Sequence, residues 1–179
     1  MIVGSIARRY AKALLAIGID AKTYEGLGRE LDRLAQTYQK SPDLREALVN
    51  PVFPLSQRQR LLDELGRRLA LSRTTQHFVQ MLLNRGHISY LPDVARELRA
   101  LVDTQAGRVR AKVTSAQPLD IAAEVRIKAA LERATGKTVI LEKREDPALL
   151  GGVVTQIGDV VYDGSLATQL ANLRQSLLS

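Results

Sequence analysis

The sequence has no cysteine among its 179 residues, which excludes disulfide bonds and thiolate metal sites and is compatible with a reducing cytosol. It also lacks any uninterrupted apolar run near the roughly 20 residues that a bilayer-spanning helix needs. The start of the chain, Met1 to Ser5, lacks the long apolar core of a signal peptide. Glycine and proline number only 12 and 6, too few for a long disordered linker. We therefore expect a soluble globular chain of one or two domains.

Aromatic residues are also few, at 4% of the chain with no tryptophan, so stacking platforms for single-stranded nucleic acid would be hard to build. The chain is nevertheless basic, with a formal net charge of +7, which would suit nucleic acid, an acidic protein or an anionic membrane. Residues 1–105 hold 16 basic and 11 acidic residues, and residues 106–179 hold 10 and 8. The surplus is spread over both parts and forms no basic tail, yet nucleic-acid binding stays open as an alternative function.

The sequence contains few groups that could carry chemistry. His77 and His87 are its only histidines, and no carboxylate lies at metal-ligand spacing from both. Gly136-Lys137-Thr138 resembles the end of a phosphate-binding loop, but such a loop joins a strand to a following helix. Here the order is helix then strand, which favours a helix C-cap. We therefore predict no catalytic residue, no cofactor site and no metal site.

Residues 1–105 predict six helices joined by short turns, because apolar residues recur there at helical spacing. Each helix shows a single apolar face, which favours a compact antiparallel bundle. Gly18 is expected to close the first helix, and Ser56 with Gln59 fits a capping box at the start of the fourth. Ser41 and Ser72 are predicted N-caps of the third and fifth helices.

The apolar pattern changes from helical to alternating at Gly107, so the predicted domain boundary lies between residues 105 and 106. The whole chain is thus predicted to be α+β, with a helical bundle followed by a small mixed α/β domain. The first elements predicted in that domain are a strand over residues 108–114, a helix capped by Asp120 and ended by Gly136, and a strand over residues 138–142.

A tight hairpin is predicted next, because Val153–Ile157 and Val160–Tyr162 are β-branched runs separated only by Gly158-Asp159. Gly151 and Gly152 let the backbone bend before the hairpin, and Asp163-Gly164 predicts a turn after it. Ser165 is then a predicted cap of a final amphipathic helix whose stripe is Leu166, Leu170, Leu173 and Leu177.

Some small and flexible apolar residues lie beside the main stripes of the first and fifth helices. They are Ala7 and Ala11 on the first helix and Met81 and Leu83 on the fifth. Small residues on one helix and a flexible methionine on another would make a groove for a partner helix. The same residues would equally well belong to a wider core. Both interpretations stay open on the pattern alone.

Several motifs along the chain resemble the delta-subunit family of bacterial F-type ATP synthases, the counterpart of the mitochondrial oligomycin-sensitivity-conferring protein. The resemblance covers the whole chain and is most specific in its last third. Its motifs are Ala7-Arg8-Arg9-Tyr10-Ala11-Lys12-Ala13-Leu14, Asn84-Arg85-Gly86-His87-Ile88 with Leu91-Pro92, Asp146-Pro147-Ala148-Leu149-Leu150-Gly151-Gly152-Val153, Gly158-Asp159, and Tyr162-Asp163-Gly164-Ser165. One departure is His87, which stands where the family more often has arginine.

The resemblance implies a non-catalytic subunit of the peripheral stalk, or stator, present in one copy per proton-translocating complex. It implies that residues 1–105 bind the N-terminal segments of the alpha subunits and that residues 106–179 bind the C-terminal ends of the b subunits. The subunit would then help to keep the catalytic head from turning with the rotor, so that torque drives ATP synthesis. It would lie peripherally at the cytoplasmic face of the bacterial plasma membrane, without inserting into the membrane and without binding nucleic acid.

The resemblance also implies where the alpha-subunit helix binds, namely between the first and fifth helices. The residues expected at that groove are Tyr10, Ala13, Leu14 and Ile17 on the first helix and Phe78, Met81 and Leu82 on the fifth. The residues expected to form the structural motif of the second domain are Gly151, Gly152, Gly158, Asp163 and Gly164.

Overall fold

The structure, a computed structural model, describes residues 2–147, 149, 151–158 and 160–165. The chain has an α+β fold and divides into two compact units, residues 1–102 and 103–179. The helix that begins at Leu91 runs past this division and ends at Gln105, next to the predicted boundary between residues 105 and 106.

Helices make up the first unit, and their apolar faces enclose one continuous core. The largest fully buried side chains of this core are leucines from different helices, among them Leu14, Leu31, Leu82 and Leu98. Burial of each such side chain contributes roughly 1.5–3 kcal/mol. The elements are α1 (Ile2–Asp20), α2 (Tyr24–Lys40), α3 (Pro42–Val49), α4 (Leu55–Arg68), α5 (Arg73–Asn84), a 3-10 turn (Ile88–Tyr90) and α6 (Leu91–Gln105).

Two predicted helix caps of the first unit are confirmed. The Ser41 side chain accepts a hydrogen bond from the backbone N–H of Leu44 at the start of α3. The Ser72 side chain accepts one from the N–H of Thr75 at the start of α5. Each cap satisfies a donor that the first turn of a helix otherwise leaves unpaired.

Two other predictions about helix ends are wrong. α1 does not end at Gly18 but continues to Asp20. Gly18 is instead a position of close packing, since a Cβ there would lie 2.7 Å from the Cα of Tyr24. α4 begins at Leu55, after Pro54, with no side-chain cap. Ser56 therefore lies inside the helix and not at its N-cap.

The second unit contains a four-stranded mixed sheet in the order β2-β1-β3-β4. β1 and β2 pair in parallel, while β3 pairs antiparallel with both β1 and β4. A small core forms where Leu131 packs with Ala111 and Val139. The elements are β1 (Arg108–Ser115), α7 (Ile121–Thr135), β2 (Thr138–Glu145), β3 (Gly152–Ile157) and β4 (Val160–Ser165).

The predicted helix ends and hairpin of the second unit are confirmed. The Asp120 side chain accepts a hydrogen bond from the N–H of Ala123, 2.5 Å away, at the start of α7. Gly136 ends the helix in the left-handed conformation, with φ +66°. β3 and β4 form the predicted hairpin, with Ile157 paired to Val160.

The predicted turn at Asp163-Gly164 is wrong, whereas the cap at Ser165 stays a prediction because the helix that it would cap lies outside the described residues. β4 continues to Ser165 because these residues stay paired with β3: Asp163 with Val154, Gly164 with Val153 and Ser165 with Gly152. At the other end of the hairpin, Gly151 and Gly152 have φ +147° and +83°, conformations that only glycine adopts readily. Asp159 and the predicted final helix with Leu166, Leu170, Leu173 and Leu177 lie outside the described residues.

Candidate partner-binding groove

A groove of about 450 Å³ lies between α1 and α5, open at the surface of the helical unit. Most of its lining is apolar. The lining residues are Ile6, Arg9, Tyr10, Ala13, Leu14 and Ile17 from α1, Phe78 and Met81 from α5, and Arg85 and His87 from the segment that follows α5. We call this surface the α1–α5 groove.

Six of the seven predicted groove residues line this surface, and Leu82 does not. The Leu82 side chain is 0% exposed and belongs to the core beneath. Leu14 is also fully buried, whereas Ile17 leaves 51% of its surface exposed. An isoleucine exposed to that extent beside other apolar side chains is typical of a surface that a partner covers.

The structure shows which of the residues beside the main stripes belong to the core and which line the groove. Ala7 and Ala11 are 0% exposed and Leu83 is 2% exposed, so all three belong to the core. Met81, by contrast, lines the groove and is only partly buried. The wider-core interpretation therefore applies to three of the four residues.

A cluster of rings joins α1 to α5 and the segment after it. The Tyr10 ring meets the Phe78 ring edge to face, with centroids 6.2 Å apart and planes at 79°. Tyr10 Oη also lies 2.9 Å from His87 Nδ1, within hydrogen-bond distance. The Tyr90 ring lies 5.5 Å from that of His87. These contacts hold the two sides of the groove at a set separation.

Four lining residues were absent from the predicted site: Ile6, Arg9, Arg85 and His87. Ile6 and Arg9 share the helical spacing of Ala13 and Ile17, so the sequence contained a signal for them. Arg85 and His87 follow the end of α5, where helical periodicity no longer applies. Only the turn after α5 brings them to the groove.

The other candidate sites have structural explanations. Gly136 ends α7, Lys137 is exposed and Thr138 begins β2, so this segment is the predicted C-cap. His77 lies exposed on α5. Among the described residues, no group of three or more His, Asp or Glu side chains could hold a metal ion. Within the same residues, no helix is both long enough and apolar enough to cross a membrane.

A helical unit with an open apolar groove, followed by a small mixed sheet, is the architecture of an interaction protein that binds other chains. The family model described as ATP synthase delta (OSCP) subunit matches residues 6–177 of this chain. The chain therefore belongs to the ATP synthase delta (OSCP) subunit family.

Relatives in several bacteria are similar over almost the whole chain, and each is an ATP synthase subunit delta. The relative from Anaeromyxobacter sp. (strain Fw109-5) is 47% identical, covering 99% of both chains. The one from Geobacter metallireducens is 40% identical, covering 99% of this chain and 98% of the relative. The one from Myxococcus xanthus is 38% identical, covering 99% and 98%.

A chain of the mitochondrial ATP synthase hexamer of Toxoplasma gondii has the same fold, with a TM-score of 0.72, 22% identity and 97% of both chains covered. Together with the family match, these likenesses identify a non-catalytic peripheral-stalk subunit of an F-type ATP synthase. The alternative of a nucleic-acid-binding protein has no support among them.

Proposed function

We propose that this subunit connects the catalytic head of the ATP synthase to its membrane-anchored stalk through two separate contacts. Residues 1–105, as an antiparallel bundle of six helices, hold the N-terminal segments of the alpha subunits. Residues 106–179 hold the C-terminal ends of the b subunits. One copy per complex works at the cytoplasmic face of the plasma membrane, and it resists rotation of the head while the rotor turns.

The observation that carries this proposal is the α1–α5 groove. It is a shallow, mostly apolar channel between two helices, the shape in which proteins commonly hold the apolar side of an amphipathic helix. Ala13 is exposed and small, so a partner backbone can approach α1 closely there. Met81 on the opposite side is flexible and can adapt to the side chains of the partner.

The proposed contact residues are those of the predicted set that reach the surface or its floor. Leu82 is left out because it is buried in the core and does not line the groove. The contact residues are Tyr10, Ala13, Leu14, Ile17, Phe78 and Met81.

Ala13→Leu tests the groove directly. The larger side chain fills part of the channel, and overfilling a packed site typically costs about 1–3 kcal/mol. A loss of that size corresponds to roughly tenfold to hundredfold weaker binding of a peptide from the alpha-subunit N-terminal segment. Calorimetric titration measures this change in affinity. The melting temperature should change little, because Ala13 is exposed in the free protein.

Ala16→Leu is the matched control, because Ala16 is also exposed on α1 but lies outside the groove lining. It should bind the alpha peptide like the wild type, and both variants should bind a b-subunit peptide unchanged. Unaltered alpha affinity in Ala13→Leu would place the alpha contact elsewhere. A large drop in its melting temperature would show that residue 13 belongs to the core.

A further inference from the structure

The two helices that line the α1–α5 groove carry almost only positive charge. α1 contains three cations and a single carboxylate, and α5 contains one cation and no carboxylate. Together with the residue that follows α5, the charged residues are Arg8, Arg9, Lys12, Arg73 and Arg85 against Asp20. A partner that approaches these two helices therefore meets an excess of positive charge.

Two of these cations, Arg9 and Arg85, line the groove itself. Both are exposed, and within the described part of the chain neither guanidinium has an ion-pair partner. Elsewhere in the helical unit, Arg99 lies 2.7 Å from the carboxylate of Asp32. The charges at the groove are thus available to a partner.

We propose that the groove selects an acidic amphipathic helix, with the apolar side of the helix on Ala13, Phe78 and Met81 and its carboxylates at Arg9 and Arg85. This inference rests on the proposed function, because it names the chemistry of the helix that the same groove takes. Arginine binds carboxylates through charge-assisted hydrogen bonds of defined geometry. Complementary charge also raises the association rate and rejects basic helices.

The test uses the full chain and two synthetic probes. One is the alpha-subunit N-terminal peptide, and the other is the same peptide with every Asp and Glu changed to Asn and Gln. They are titrated against the wild type, Arg9→Gln, Arg85→Gln and the double variant. Arg8→Gln is the matched control, because Arg8 is exposed on the same helix, carries the same charge and lies outside the groove lining.

We expect the amide peptide to bind the wild type more weakly than the acidic peptide. Each groove arginine should contribute roughly a twofold to fivefold change in affinity for the acidic peptide, as exposed ion pairs do. Its affinity should also depend less on salt in the double variant. Arg8→Gln should bind like the wild type, and the arginine variants should bind the amide peptide with unchanged affinity.

Equal affinity of the two peptides for the wild type would overturn the selection of an acidic helix, as would an alpha segment without Asp or Glu. If Arg8→Gln and Arg9→Gln lost equal affinity for the acidic peptide, the overall charge of the helix would explain the effect. That result would contradict a specific role for the groove arginines. These outcomes leave the proposed function standing if Ala13→Leu weakens both peptides. If neither peptide binds the wild type, the proposed function itself fails.

Discussion

Glu30 on α2 holds the start of α5, one of the two helices that line the groove. One of its carboxylate oxygens, Oε2, accepts hydrogen bonds from the Ser72 N–H at 2.9 Å, the Ser72 hydroxyl at 2.7 Å and the Thr75 hydroxyl at 2.6 Å. Burial by itself would raise the pKa of Glu30, but the hydrogen bonds from Thr75 and Ser72, with Arg33 nearby, hold the pKa below its ordinary value. Its charge therefore stabilises the folded chain.

We predict that Glu30→Gln lowers the free energy of unfolding by about 1 kcal/mol at neutral pH, because it replaces charge-assisted hydrogen bonds with neutral ones. The pKa of Glu30 is lower in the folded chain than in the unfolded chain. Its contribution is therefore fully present above the ordinary pKa and is lost as the pH falls through the folded value. Between neutral pH and about pH 3 the wild type should lose more stability than Glu30→Gln. Denaturant unfolding at several pH values measures this difference.

Glu46→Gln controls for the loss of one negative charge, because Glu46 is exposed on α3. It should be nearly as stable as the wild type at every pH. Parallel stability profiles of Glu30→Gln and the wild type would contradict the role of the Glu30 charge.

At the scale of the element, the packing of α1 on α2 depends on a glycine inside a helix. A Cβ at Gly18 would lie 2.7 Å from the Cα of Tyr24 and 2.9 Å from its Cβ, distances that would force the two backbones apart. Helix propensity alone would favour alanine here by roughly 1 kcal/mol. The close approach outweighs that preference, since α1 must pass beside the start of α2.

We predict that Gly18→Ala destabilises the helical unit by up to about 2 kcal/mol, the cost of overpacking less the gain in helix propensity. Gly26→Ala on α2 is the matched control, because a Cβ there would have no neighbour within 4 Å. That change should leave stability unaltered or raise it by up to about 1 kcal/mol. Thermal melts followed by circular dichroism compare the two, and equal effects would show that Gly18 is not needed for helix packing.

At the scale of the whole molecule, the core of the first unit is complete within its own residues. Its buried apolar residues run from Ala7 to Val102, and α6 ends at Gln105. Near that end, Asp103 pairs with Arg108 and Arg110 of the following strand. A cut after residue 105 therefore removes the ion-pair partners of Asp103 but keeps all the buried residues of this core in one fragment.

We predict that a fragment of residues 1–105 folds alone and melts cooperatively, as followed by helical circular dichroism. A fragment of residues 1–90 is the control: it lacks α6 and so loses Leu91, Val94 and Leu98, each at most 1% exposed. That shorter fragment should not melt cooperatively, because its core would be open to water. An unfolded 1–105 fragment at neutral pH would refute the proposed domain boundary.

The sequence alone was sufficient to determine the class of most elements and many of their ends. Helical and alternating apolar spacing identified the helical part, the first strands of the second unit and the β3–β4 hairpin. The caps at Ser41, Ser72 and Asp120 were predictable because a cap is a hydrogen bond within one turn of chain. Helical spacing placed the α1 residues on one face of the helix, but only the resemblance to the family indicated that this face forms a groove.

Only the tertiary structure decided which apolar residues are covered and which elements continue. Met81 faces the groove while its neighbour Leu82 is buried, and that difference depends on where other helices pack. His87 lies within hydrogen-bond distance of Tyr10, which is 77 residues away in the sequence. A pattern of neighbouring residues cannot predict such a contact. β4 continues through Asp163 and Gly164 because β3 supplies hydrogen-bond partners that outweigh the local turn preference. Exposure and pairing are set by residues far away in sequence, and those contacts exist only once the chain has folded.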